Sequence, residues 1–296
     1  MEIFRSNVIS IWKDAGKSWL AKLPTIVQQC ADQWALTNLH PAPNLSYNYV
    51  AFGFQNYKKI ALKVGFDTNE LQREALALTY YDGHGSVNLL QSNFKINALL
   101  LERITPGTSL KNLFPHNDHQ AVSHAVTVMQ KIHHAKFLKN QFPTIADWLK
   151  TLDKPYTALQ SSMHISQART LADHLLATQT QPVLLHGDLH HANILFNGQN
   201  NEWIAIDPKG VIGEPAYEVG SFIRNPSPEL LEQPHIAEIM KHRILRFAEL
   251  LNIDKQRLWQ WSYVQAVLAA CWAIEDGQIN PEMALQEANI LNEIKL

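Results

Sequence analysis

The sequence predicts an α+β fold in two lobes, a small antiparallel-sheet lobe followed by a larger and mainly helical one. Three observations predict it. Strand-length apolar runs gather between Tyr47 and Glu102, separated by turn-prone residues, as in hairpins. Beyond Thr105-Pro106-Gly107-Thr108 the apolar residues recur at helical spacing over long stretches. The chain also has 296 residues, 46% of them hydrophobic, enough for two lobes and a substantial core.

From Met1 to about Leu39, Trp12, Trp19, Leu20, Leu23, Ile26, Val27, Cys30 and Trp34 fall at largely helical spacing, which Pro24 interrupts. Two short packed helices are expected there. Residues 47–54 and 57–64 read as a hairpin around the Gly53 to Asn56 region. A helix over 69–81 follows, with Asp67 or Thr68 as cap, Leu71, Ala75 and Leu78 on one face, and Gly83-His84-Gly85 ending it. Residues 87–91 and 97–102 read as a second strand pair joined at Ser92-Asn93. The lobe boundary belongs near Ile104 to Gly107, giving lobes 1–104, with leading helices over 1–39, and 105–296. In the second lobe helices are expected at 118–134, 143–152, 156–178, 229–251, 254–276 and 281–294. Short strands at 183–185, 194–196 and 203–206 are the exception.

Bulk properties exclude several classes. Formal charge is -2 and the basic residues are scattered, so no nucleic-acid partner is expected. No apolar run approaches the roughly 20 residues that span a bilayer, and no basic cluster with an apolar core follows Met1. Two distant cysteines, Cys30 and Cys271, give no disulfide framework and fit a reducing cytoplasm. There is no internal repeat or low-complexity segment.

The most informative stretch runs from Leu184 to Leu195 and resumes at Trp203-Ile204-Ala205-Ile206-Asp207. It offers a carboxylate, an amide five positions on, and a second carboxylate at the end of an apolar run. Phosphoryl transfer to a hydroxyl needs one acid near the acceptor and two oxygen ligands holding magnesium against phosphates. Asp188 is expected to orient the acceptor hydroxyl and take its proton late; Asn193 and Asp207 are expected to ligate Mg2+. His186 reads as a loop organiser. His190 and His191 lack an HExxH or cysteine companion, so hydrogen bonds that pin the loop are expected of them instead of a transition metal.

In the first lobe, Lys63 sits in the alternating run Ala61-Leu62-Lys63-Val64, and Glu74 falls in the next helix. A lysine on nucleotide phosphates needs an acid to orient it, and this pair would serve, although Arg73 offers Glu74 other company. The backbone carbonyl of Glu102 and amide of Ile104 are the candidates for adenine. Residues 46–55 contain only Gly53, so phosphate cover would fall to other backbone amides or to Ser46 and Asn48. Ala15-Gly16-Lys17-Ser18 ends like a Walker A loop, but Ile11 stands where that loop needs glycine and the context is helical. A helix interruption explains it better.

These residues resemble the aminoglycoside phosphotransferase and choline kinase superfamily, whose motif HGDxHxxN, followed by a strand ending in Asp, is matched by His186, Gly187, Asp188, His190, Asn193 and Asp207. The fuller runs His186 to Leu195, Ala205-Ile-Asp-Pro-Lys-Gly-Val211 and Ala270 to Gly277, and the tryptophan-rich opening, are more narrowly similar to the streptomycin 6-phosphotransferase and hydroxyurea phosphotransferase branch. The resemblance implies a protein-kinase-like bilobal fold, MgATP as donor and a small hydroxylated acceptor. A cationic aminocyclitol would favour nearby acids, for which Glu218, Glu275 and Asp276 are candidates and Glu214 a weaker one. Lys209, just past Asp207, would either touch a phosphate or brace its loop. The competing expectations are a metabolic kinase of the same fold, with a sugar, amino-alcohol or hydroxyurea-like acceptor, and a nucleotide-binding pseudoenzyme.

Overall fold

The structure, a computed structural model, describes residues 1–156, 163–277 and 285–296. It begins with α1 (Glu2–Trp34), which is broken at Lys13 (φ 50°), whereas Pro24 is accommodated inside it. A straight helix of 33 residues would run roughly 50 Å, too far for one small sheet to cover. Folding back at Lys13 lets Phe4 and Val8 join Leu20, Leu23, Cys30 and Trp34 in one buried cluster with Ala51, Ile60 and Leu62. Gly16 lies at the contact between the halves, where a Cβ would stand 2.7 Å from the Val8 carbonyl oxygen. The Walker-like tetrapeptide is therefore part of a packed helical turn.

The stretch assigned to helix up to Leu39 ends in a strand, β1 (Leu36–Pro41). With β2 (Tyr49–Gln55), β3 (Lys58–Val64), β4 (Leu89–Asn93) and β5 (Ala98–Glu102) it forms an antiparallel sheet in the order β1-β2-β3-β5-β4. The β2–β3 turn is Asn56-Tyr57, both at positive φ (46° and 66°), the geometry of a two-residue hairpin. Gly53 lies inside β2, where a Cβ would come within 2.8 Å of the Thr37 carbonyl on β1. Between β3 and β4, α2 (Thr68–Tyr81) starts at an Asp67 cap whose side chain accepts from the amides of Asn69 (2.8 Å) and Glu70 (3.2 Å). Leu71, Ala75 and Leu78 bury against Ala61, Leu99 and Leu101, the sheet face opposite α1, as strand alternation requires. The turn between β4 and β5 falls at residues 94–97, later than Ser92-Asn93.

The remaining elements are β6 (Pro106–Ser109), α3 (Asp118–Ile132), α4 (Ile145–Leu149), α5 (His164–Ala177), β7 (Val183–Leu185), β8 (Ile194–Asn197), β9 (Glu202–Ala205), β10 (Val211–Gly213), α6 (Pro215–Ile223), α7 (Ile236–Leu251), α8 (Lys255–Glu275) and α9 (Gln286–Glu293). Strand β6 pairs with β8 and β8 with β9, while β7 pairs with β10. Strand β10 and helix α6 were not expected from the sequence. Helix α7 begins seven residues later than anticipated, and the helix at 143–152 contracts to α4 and a 3-10 turn. The expected helices over 156–178 and 281–294 extend in part over 157–162 and 281–284, which lie outside the described residues. The two parts of the chain meet where the Val87 amide donates to the Ala205 carbonyl (2.9 Å) and the Ala205 amide to that of Gly85 (2.8 Å). Among the described residues no helix is long and apolar enough to cross a membrane.

Candidate active site

Strand β7 delivers the chain into a loop that is held from below. Gly187 takes φ 84°, open to glycine, and a Cβ there would stand 2.7 Å from the Trp148 ring. The buried His186 ring uses Nε2 on the Ile206 carbonyl (2.8 Å), and its Nδ1 accepts from the Asp188 amide (3.2 Å). That pairing fixes the tautomer with the proton on Nε2. The Asn193 amide nitrogen donates to the Asp188 carbonyl (3.0 Å), which folds the loop back and commits the nitrogen end of the side chain. His190 accepts at Nδ1 from the Ala192 amide (3.2 Å), and its Nε2 is 3.7 Å from Asp188 Oδ2. Burial lowers the His190 ring against the opposing pull of Asp188.

Asp188 itself accepts from the Ser221 hydroxyl at Oδ1 (3.0 Å), and one third of its side chain remains exposed. Asp207 follows β9 at positive φ (63°) and is 36% exposed. Lys63 engages its Oδ1 and leaves Oδ2 open. The same ammonium donates to Glu74 Oε2 at 2.6 Å, with Lys63 and Glu74 both buried. The structure thus joins three of the predicted residues from β3, α2 and the β9 end. Burial alone would raise Asp207, but Lys63 and then Lys209 hold its carboxyl well below the usual carboxylate range. For Glu74 burial prevails over Lys63 and pushes the carboxyl up to about 7.

Beside this group lies a buried apolar cluster. Ala61, Leu101 and Ile104 from the sheet side and Ile204 from the other are buried together, with Val50, Phe52, Leu195 and Ile206 packed against them. Of these residues only Ile104 is a site candidate from the sequence. Their signal was alternation in β2 and β3 opposite a leucine two residues past Asn193. Arg103 stacks on Phe52 at 4.1 Å, and the Glu102 carboxylate accepts from Asn88 (2.7 Å).

The expected acceptor-binding acids separate. Glu218 is buried beneath the loop, and its oxygens accept from the amides of His186 (2.6 Å) and Gly187 (2.9 Å), with His133 Nε2 at 3.4 Å. It is not presented to an acceptor, because α6 is buried on every side. Glu214 is likewise consumed by Arg257, Trp261 and Thr180. Glu275 and Asp276 end α8, the first accepting from Lys154 (2.8 Å) and the Tyr156 hydroxyl, the second exposed. Partial burial and then Glu275 raise the Asp276 carboxyl. One turn earlier Trp272 meets Trp148 edge-on at 5.7 Å, and Trp148 covers Gly187, so an aromatic wall connects the α8 end to the Asp188 loop. Ser221 and Glu70 went unread in the sequence; Glu70 stands one helical turn before Glu74, the spacing that puts two acids on one face.

Comparison with known proteins bears on what this geometry does. Residues 57–277 match the family described as aminoglycoside/hydroxyurea antibiotic resistance kinase. A streptomycin 6-kinase of Streptomyces glaucescens is 23% identical over 270 residues, covering 89% of this chain and 87% of the relative. A hydroxyurea phosphotransferase of Kitasatospora aureofaciens is 26% identical over 284 residues, 94% of this chain and 81% of the relative. Among solved structures, aminoglycoside phosphotransferase APH(4)-Ia superposes with TM-score 0.67 at 14% identity, over 91% of this chain and 98% of that one. Choline kinase LicA of Streptococcus pneumoniae does so with TM-score 0.65 at 13% identity, over 91% and 99%. The two structural likenesses establish the protein-kinase-like fold.

Proposed function

The chain belongs to the aminoglycoside/hydroxyurea antibiotic resistance kinase family, and from that membership we propose that it moves the terminal phosphate of MgATP to a hydroxyl of a streptomycin-type aminoglycoside. Residues 1–104 form the nucleotide lobe in this reading, and 105–296 supply the catalytic loop and the acceptor surface. The observation that carries it is the lysine shared between Glu74 and Asp207 beside a buried apolar cluster, with one third of the Asp188 side chain left exposed. The adenine would lie against that apolar cluster and meet the Glu102 carbonyl and Ile104 amide, while Lys63, oriented by Glu74, faces the phosphates.

The acceptor oxygen attacks the terminal phosphorus, the bond to the bridging oxygen breaks and ADP departs. Asp188 positions that hydroxyl and receives its proton, and Ser221 steadies the carboxylate. His186 organises the loop by tying it to the strand that ends in Asp207. Asn193 and Asp207 suit magnesium: both offer oxygen, Oδ2 of Asp207 is open, and Mg2+ commonly takes one or two protein ligands plus substrate phosphates. Bound there, the ion would neutralise charge developing on the phosphates. Of the expected acids, Glu275 and Asp276, exposed beside the Trp148–Trp272 wall, are the two left to meet a cationic acceptor. The same reading puts the enzyme in the cytoplasm, where MgATP is available.

A second acceptor class is supported by the hydroxyurea phosphotransferase relative, which is as similar as the streptomycin kinase. The test is magnesium-dependent transfer of the terminal phosphate to streptomycin, other aminoglycosides, hydroxyurea and simple amino alcohols. We predict turnover of streptomycin and a loss of at least a thousandfold in Asp188→Asn. Full activity in that variant would remove Asp188 from its role. Turnover of another acceptor alone would keep the chemistry and replace the substrate. Nucleotide binding without any transfer would favour a pseudoenzyme.

A further inference from the structure

Helix α2 carries two acids one turn apart, and each holds a lysine. Glu74 holds Lys63 from its own lobe; Glu70 holds Lys209, which belongs to the loop after Asp207. The two ion pairs differ in setting. Lys63 and Glu74 are buried, at 6% and 2% exposure, whereas Lys209 and Glu70 keep 33% and 31%.

A structural brace does not need the Lys209 ammonium. Its backbone already secures the loop, because the amides of Lys209 and Gly210 both donate to the His186 carbonyl at 2.8 and 3.2 Å. Its Cβ lies against Gly187, so the stem starts directly behind the Asp188 turn. The ammonium also lies within electrostatic reach of Asp207 and Asp188, the two acids that flank the proposed transfer. Being on a flexible four-carbon stem and paired at a partly solvated surface, it is in a weak bond that a phosphate can outcompete.

We propose that Lys209 is a second phosphate-facing cation, held by Glu70 in the free enzyme and handed to the terminal phosphate when MgATP binds. The proposal rests on the phosphotransferase reading. Lys63 is committed to two carboxylates, Glu74 and Asp207, and stays with the inner phosphates; Lys209, within electrostatic reach of both Asp207 and Asp188, is the cation left to meet the charge that gathers on the transferring group. Glu70 then serves as a holding site that keeps the ammonium away from Asp188 while no nucleotide is present.

A contact to the terminal phosphate has a signature that a brace lacks, since it distinguishes ATP from ADP. Calorimetry with magnesium and either AMP-PNP or ADP, on wild type, Lys209→Met and Glu70→Gln, reads it without any acceptor. We expect Lys209→Met to weaken AMP-PNP about tenfold and ADP less than twofold, and Glu70→Gln to tighten AMP-PNP because the lysine no longer has to leave a carboxylate. Equal losses for both nucleotides in Lys209→Met, or no loss, would overturn the phosphate contact. Failure of Glu70→Gln to tighten AMP-PNP would overturn the handover. A wild-type protein that binds neither nucleotide would overturn the phosphotransferase reading and this inference together, an outcome distinct from either of those.

Discussion

Glu218 and Ser221, one turn apart on α6, grip the two ends of His186-Gly187-Asp188: the acid takes the first two amides and the hydroxyl reaches the Asp188 carboxylate. A glutamine at 218 keeps the volume but has one acceptor oxygen for two converging donors, so one amide loses its partner. A hydrogen bond to a buried charged group is worth about 1.5–3 kcal/mol. We predict that Glu218→Gln lowers kcat ten- to a hundredfold while the affinity for ADP stays within about twofold, because Lys63 and Asp207 are untouched. Parallel loss of ADP affinity would mean that Glu218 supports the whole cleft. Ser221→Ala removes one neutral donor, for which we expect a three- to tenfold fall in kcat. The sequence held a clue to Glu218: a single acid inside Pro215-Ala-Tyr-Glu-Val-Gly-Ser-Phe-Ile223 is surrounded by apolar residues on all sides of a helix, and a buried carboxylate must be paired.

For an element, the sharpest test lies in α1, where two physical effects oppose one another. Glycine inside a helix is about 0.5–1 kcal/mol worse than alanine, so propensity makes Gly16→Ala stabilising. The fold-back at Lys13 reverses the sign, because the new methyl would sit 2.7 Å from backbone at Val8 and force the helix halves apart. We predict a loss of about 1–3 kcal/mol, measured by denaturant unfolding; a gain would mean that the halves do not pack this way. Local pattern reveals such elements unevenly. The β2–β3 hairpin and α2 were legible because alternation, a cap and one apolar face all agree. The Asp188–Asn193–Asp207 set was legible because its spacing and flanking strands survive in sequence. Strand β1 was not, being an edge strand mostly exposed and ending at Pro41, and α6 was not, since burial on every side erases its period. Neither the break at Lys13 nor the partner of Glu218 is written in local sequence, because both answer to segments far along the chain.

At the scale of the molecule, Arg243 fastens the helical part together. From α7 it makes a two-nitrogen contact to Asp118 at the start of α3 (2.8 and 2.7 Å) and donates to the Phe222 (3.3 Å), Ile223 (3.0 Å) and Asn225 carbonyls at the end of α6. It also lies 3.5 Å from the ring of His191, which is fully buried and stacked on Phe222 at 3.8 Å. Burial lowers His191 to about 4, Asp118 raising it and Arg243 lowering it. Burial alone would raise Asp118, but His191 and Arg243 bring it down to about 2. Both groups therefore take up protons more readily in the unfolded chain, and stability must fall with pH in two stages. The histidine stage is complete above its ordinary value near 6.5 and is lost down to about 4, roughly 3 kcal/mol at about 1.4 kcal/mol per pH unit. The carboxylate stage is present above about 3.8 and is lost down to about 2, roughly 2 kcal/mol. Burial also lowers His124 and His190, so the quantity to read is the difference between wild type and variant in denaturant unfolding at pH 8, 6.5, 4 and 2.5. We predict that His191→Gln flattens the decline between 6.5 and 4 and keeps the lower stage, since Arg243 still holds Asp118. Asp118→Asn should be several kcal/mol less stable than wild type at pH 8, because the buried Arg243 keeps its carbonyl partners but loses its only carboxylate among the described residues, and the gap should narrow below pH 4. An unchanged slope between 6.5 and 4 in His191→Gln would take this histidine out of the acid response and leave Arg243 and Asp118 as its sole seat in the hub.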